Sequence, residues 1–109
     1  MDAQAIYETA VFAGKQAAAK VNAELGPERD RGLDCGFAWV VVKPARGPLV
    51  SWAKKNGRGR RHYSGGWCFW YSEFSTATQS VSVHEAAAQA FCEVLTAAGL
   101  HAYADSRLD

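Results

Sequence analysis

From Cys35 to Val42 the chain reads Cys-Gly-Phe-Ala-Trp-Val-Val-Val, an apolar run rich in β-branched and aromatic residues that Pro44 brings to an end. Such a run is a strand signature, because these side chains pack well on a pleated surface and proline cannot continue the ladder. Alternate strand residues point to opposite faces, so Phe37, Trp39 and Val41 share one side and Ala38, Val40 and Val42 the other. Neither side is polar, which predicts a central strand covered on both faces. With 109 residues there is room for one domain and one modest core. The remaining elements must therefore be layers laid on this strand, and oligomerisation would supplement a core of that size.

The flanking patterns supply those layers. Ile6, Ala10, Ala13, Ala17, Val21 and Leu25 recur at helical spacing, predicting a helix over 3–25 that Asp2 caps and Gly26-Pro27 stops. Its face is small, with Ala10, Ala13, Gly14, Ala17 and Ala18 allowing close approach by a sheet, a helix or a second subunit. Residues 28–34 are charged and unpatterned, hence loop. Pro48 can open a short helix carrying Leu49, Trp52 and Ala53, with Gly57 at its C-terminal cap. Ser64-Gly65-Gly66 is a turn. Trp67–Phe74 is a second strand, with Trp67, Phe69 and Tyr71 on one face and Cys68, Trp70 and Ser72 on the other. Ser82 and Glu85 have capping-box spacing ahead of a helix burying Ala87, Phe91, Val94, Leu95 and Ala98 and ending at Gly99. Leu100–Ala104 makes a last short strand, followed by the tail Asp105–Asp109, in which a continuing strand would hold Arg107 in place. The whole reads as one α+β domain over 1–109: a leading helix, then a body over 35–109 in which a small antiparallel or mixed sheet packs with two main helices and one short one.

Net charge is +1, which argues against a protein that coats nucleic acid with a wholly basic surface. The distribution says more. No acid occurs between Asp34 and Glu73, whereas Lys43, Arg46, Lys54, Lys55, Arg58, Arg60 and Arg61 lie within that stretch, seven of the chain's 12 lysines and arginines. Cys35, Cys68 and Cys92 form no CxxC pair and read as reduced, buried thiols of a cytoplasmic protein. An early acid and no basic n-region predict no cleaved leader, and no apolar run approaches the roughly 20 residues of a membrane span.

The acid-free segment from Lys43 to Arg61 is the candidate for chemistry. Gly57, Gly59, Gly65 and Gly66 let backbone approach a ligand, while Arg58, Arg60 and Arg61 offer forked donors suited to phosphate oxygens. The plainer alternative is a solvated loop whose charge aids solubility. Trp39, Trp52, Tyr63, Trp67, Trp70 and Tyr71 interleave with the segment, and nucleobases stack on such rings for about 1–3 kcal/mol each. Most of them must be core. Tyr63, Trp67 and Trp70 adjoin the glycine turn and are the ones expected to touch a ligand. The glycines form neither GxGxxG nor GxxxxGK[ST]. His62, His84 and His101 lack metal-ligand spacing, His84 reading as a surface residue of a first helical turn, and no nucleophile is paired with a base. Glu73 and Asp105 are a candidate carboxylate pair, but their distance in sequence says nothing about their separation in space. No catalytic residue, metal site or cofactor is expected.

Cys35-Gly36-Phe37-Ala38-Trp39-Val40, Lys43-Pro44-Ala45-Arg46-Gly47, Gly65-Gly66-Trp67 and the ending Ala102-Tyr103-Ala104-Asp105-Ser106-Arg107-Leu108-Asp109 resemble a group of small phage proteins. Their order and spacing over 35–109, behind a similar leading helix, look like the Thoeris anti-defence family of cyclic-nucleotide sponges. That resemblance implies a non-catalytic homo-oligomer, dimers built into a hexamer, which works in the host cytoplasm. It would sequester cyclic ADP-ribose isomers or, in some members, cyclic di- or trinucleotides. It proposes Arg46 and Arg107 as recurrent ligand arginines, with Ser106 beside the latter. The ligand set expected from residues and resemblance together is Lys43, Arg46, Arg58, Arg60, Arg61, Tyr63, Trp67, Trp70, Ser106 and Arg107. The rival readings are an accessory factor that uses the basic segment against a host defence protein or an RNA or DNA backbone, nucleic acid being the less favoured partner, and an assembly protein whose basic loop touches its neighbours.

Overall fold

The computed structural model describes residues 2–26 and 35–109; the charged loop expected over 28–34 lies outside them. Helix α1 (Ala3–Leu25) is followed by β1 (Gly36–Val42), α2 (Pro48–Lys55), β2 (Arg60–Arg61), β3 (Trp67–Trp70), a 3₁₀ turn (Tyr71–Glu73), α3 (Val81–Ala97) and β4 (Ala102–Leu108). The strands form one antiparallel sheet in the order β2-β3-β1-β4. The α+β architecture follows the sequence pattern.

All three helices cover one face of the sheet. Ala38, Val40, Val42, Trp67 and Phe69 meet Tyr7, Ala10 and Ala18 of α1, Leu49, Val50 and Ala53 of α2, and Ala87, Phe91 and Leu95 of α3 in a single core. The small face of α1 has its expected use, rotated slightly. Tyr7, Ala10, Gly14 and Ala18 are buried and Leu25 is exposed. At Gly14 an added Cβ would stand 2.6 Å from the Phe74 carbonyl oxygen. Asp2 caps α1 by accepting the Ala5 N–H at 2.8 Å. No helix among the described residues is long and apolar enough to cross a membrane.

Several expectations need correction. Strand β1 is central, yet helices cover only its Ala38, Val40 and Val42 side. The Phe37 and Trp39 side is half-buried because the aromatic rings shield one another. Strand β3 stops at Trp70, where the chain turns into the 3₁₀ segment. The cap of α3 is Ser80, whose Oγ accepts the Val83 N–H. Ser82 and Glu85 form no capping box, and Glu85 instead accepts the Ser106 hydroxyl. His84 is fully buried: its ring stacks on Tyr71 at 4.0 Å, Nε2 donates to the Thr78 carbonyl at 2.8 Å, and Nδ1 lies 2.7 Å from the Ser75 hydroxyl. Cys68 and Cys92 are buried, whereas Cys35 is half-exposed and its thiol contacts Gln79. The last strand starts two residues later than expected and runs through the tail to Leu108, so Arg107 is fixed in the sheet opposite Phe37. Strand β4 forms one edge, and along it the Asp105 carboxylate accepts the backbone N–H of Ser106 at 2.8 Å.

Candidate functional site

Strand parity decides which side chains lie on the face away from the helices. Directly paired residues share a face. Arg60, Cys68, Val41 and Tyr103 therefore form one row, Trp70, Trp39 and Asp105 the next, and Phe37 and Arg107 a third. The Trp39 and Trp70 rings stack across the strands, 5.4 Å apart and 9° from parallel. Phe37 packs 5.7 Å from Trp70. The result is an aromatic strip along the middle of the open face.

A cation sits over each side of the strip. The Arg60 guanidinium lies 5.4 Å from the Trp70 ring centre and that of Arg107 5.7 Å from Phe37, within the range of a cation–π attraction. Gly59 sets the path of Arg60. Its φ is +70°, and a Cβ there would stand 2.4 Å from Nε1 of Trp67. Its N–H donates to Glu73 at 3.0 Å, while the other oxygen of Glu73 accepts the Tyr7 hydroxyl at 2.7 Å. Glu73 is not in the wall of the cavity that Asp105 lines, so the two are not brought together there as a carboxylate pair.

The turn from His62 to Gly66 closes one end of the open face. His62 N–H donates to the Gly66 carbonyl, and Gly65 N–H to that of His62. Gly66, at φ +93°, presses on Val41 and Val42 where a side chain would not fit. Tyr63 projects from this turn with 93% of its surface exposed. Strip, arginines and turn border a half-open cavity of about 520 Å³, walled by Trp39, Arg60, Arg61, Tyr63, Trp70 and Arg107 together with His62, Cys68, Asp105 and Ser106. Small-molecule sites span about 300–1,000 Å³, and this volume lies within that range.

Six of the ten expected ligand residues thus come together: Arg60, Arg61, Tyr63, Trp70, Ser106 and Arg107. Ser106 and Arg61 take part at the edge: the Ser106 hydroxyl is turned to Glu85 on the helical side, and Arg61 is paired with Trp67, whose side chain faces the helices. The other four line different ground. Arg58 lies on the helical side, 5.9 Å from the Tyr7 ring. Trp67 is buried there and its Nε1 donates to the Arg58 carbonyl, because residues 67 and 70 of one strand face opposite ways. Lys43 reaches the Ser64 carbonyl and the Tyr103 ring. Arg46 is exposed on the bend before α2.

Trp39, Cys68 and Asp105 join the wall without having been expected there. Pairing of β1 with both neighbours would have placed them. The Nε1 of Trp39 is buried with no hydrogen-bond partner. Burial pushes the Cys68 thiol up to about 11, with Arg60 opposing and Glu73 adding to the effect, so it is protonated and weakly nucleophilic near neutrality. Among the described residues no group of three or more His, Cys, Asp or Glu could hold a metal ion. What the arrangement offers is stacking surface and fixed positive charge. Comparison of the chain with protein-family models, curated proteins and solved structures gives no match.

Proposed function

We propose that this chain is a non-catalytic binder of a small nucleotide-like anion, which it holds on the open face of its sheet. The observation that carries this reading is the stacked Trp39–Trp70 pair with Arg60 and Arg107 at its two sides. Indole faces take bases of any kind, and guanidinium groups take phosphate oxygens. A protonated Cys68 in the wall is consistent with retention of the ligand intact. Together with the sequence resemblance, this supports a phage anti-defence sponge that sequesters cyclic nucleotide signals as a homo-oligomer in the host cytoplasm.

The test is calorimetric titration and thermal shift with a nucleotide panel that includes cyclic ADP-ribose isomers and cyclic dinucleotides, followed by mass spectrometry of what heat-treated protein releases. Saturable micromolar binding with intact release is expected. No binding by any member would sink the proposal, and release of a cleaved product would refute the absence of catalysis. A second reading, single-stranded nucleic acid laid across the strip, draws on the openness of the face between its two arginines. It would show a steep salt dependence, whereas a ligand with few phosphates shows a shallow one.

A further inference from the structure

The cavity on the open face has one carboxylate in its wall, that of Asp105, set among Arg60, Arg61 and Arg107. Next to a phosphate it would repel, so the groups it meets in a bound anion must be hydrogen-bond donors. Its place in the sheet says which part of the ligand those belong to. Asp105 is directly paired with Trp39, in the same row as the Trp39–Trp70 stack, whereas Arg60 and Arg107 stand in the rows on either side. Phosphates are drawn to the outer rows. What reaches Asp105 is the edge of whatever stacks on the indoles.

The carboxylate is held for that role. Oδ1 accepts the neighbouring Ser106 N–H at 2.8 Å, which orients the group while a carboxylate keeps further acceptor sites on both oxygens. Resting on the reading of this face as a nucleotide site, we infer that Asp105 makes it selective for guanine. Guanine alone among the common bases presents two adjacent donors, N1–H and the 2-amino group, spaced to meet two carboxylate oxygens. Adenine and cytosine present one amine beside a ring acceptor that faces the carboxylate unfavourably. Uracil flanks its single N–H with two carbonyls. A site that leaves a charged acceptor unpaired discriminates strongly against the ligand that fails to pair it.

The test is calorimetry on the full chain with guanosine, 2′-deoxyguanosine, inosine and adenosine monophosphates, and with the guanine and adenine cyclic dinucleotides, comparing within each set that binds. Asp105→Asn is the variant, since its remaining oxygen can still accept the Ser106 N–H and circular dichroism can verify the fold. Guanine is expected to bind at least about tenfold tighter than adenine, with inosine between and the deoxy form equal to the ribose form. In Asp105→Asn the guanine ligand should lose about tenfold while adenine changes by less than about threefold. Equal binding of guanine and adenine overturns the assignment. So does a preference that follows the 2′-hydroxyl, or a variant that weakens every ligand alike. Binding of no nucleotide would overturn the site itself, so the two failures are distinguishable.

Discussion

The hydroxyl of Tyr7, on α1, donates to Glu73 at 2.7 Å, and the second oxygen of Glu73 accepts the Gly59 N–H at the root of β2. One side chain thus ties the first helix to the strand that carries Arg60. Glu73→Ala should cost about 1–3 kcal/mol of stability in urea unfolding, as the phenol and the amide lose an acceptor. It should also weaken nucleotide binding, because the Gly59 N–H beside Arg60 then loses its side-chain anchor. Glu73→Gln, which keeps an acceptor, should recover most of both.

The same contact gives a pH dependence. Burial, then the hydrogen bond to Glu73 and its charge, push the Tyr7 phenol well above its ordinary range, with Arg58 opposing. The folded state therefore favours the neutral phenol. Its contribution is complete below a pH of about 10, where an unfolded tyrosine ionises, and is lost as pH rises from there through the folded value. Stability measured between neutral and strongly alkaline pH should fall less steeply in Tyr7→Phe than in the wild type. Parallel curves would show that Tyr7 does not contribute.

Four arginines separate the open face from the rest of the basic segment. Arg60→Ala and Arg107→Ala should each weaken ligand binding about tenfold or more by calorimetry, from lost charge-assisted hydrogen bonds. Arg58→Ala, on the helical side, and Arg46→Ala, on the bend before α2, should each change it by less than about twofold. The reverse ranking would move the site to the far side of the sheet.

Gly14→Ala should be costly although alanine is the better helix former. The new methyl would meet the Phe74 carbonyl oxygen at 2.6 Å and the Ala87 carbonyl oxygen at 3.3 Å, and backbone yields poorly. A loss of about 1–3 kcal/mol is expected, a drop in Tm of roughly 5–15 °C. Gly99→Ala, with open space around the glycine, separates the effect of crowding from that of backbone strain at its positive φ of 91°.

His84→Ala should destabilise by about 2–4 kcal/mol. It removes a buried ring together with its hydrogen bonds to the Thr78 carbonyl and the Ser75 hydroxyl, and uncovers Tyr71. Chemical denaturation measures the loss, and faster amide exchange over 75–79 would locate it.

The helices were legible because their signals are local. Asp2, the apolar spacing over 3–25 and Pro48 each act within a few residues, and α1 and α2 begin where these place them. Strand parity was legible as well. It already separated Trp67 from Trp70, and using it would have kept Trp67 out of the site. What sequence could not supply was the pairing. That Asp105 lies opposite Trp39, or Trp39 opposite Trp70, depends on register between segments far apart in the chain. The cap of α3 was misplaced because Ser80 and Ser82 both satisfy the local rule. His84 was misread because its partners come from the loop over 75–79 folding back on it, and one-sided burial of β1 because aromatic rings can shelter one another without a second layer.

The bond from Ser106 N–H to its neighbour's carboxylate has one more consequence. An open strand edge invites the same segment of another copy to add itself, the route by which sheets grow into aggregates. On β4 the amide of Ser106 is already occupied, and by a charged group that would meet its own likeness across any symmetric junction centred there. The chain thus carries a stop against uncontrolled sheet growth at that point of its outermost strand.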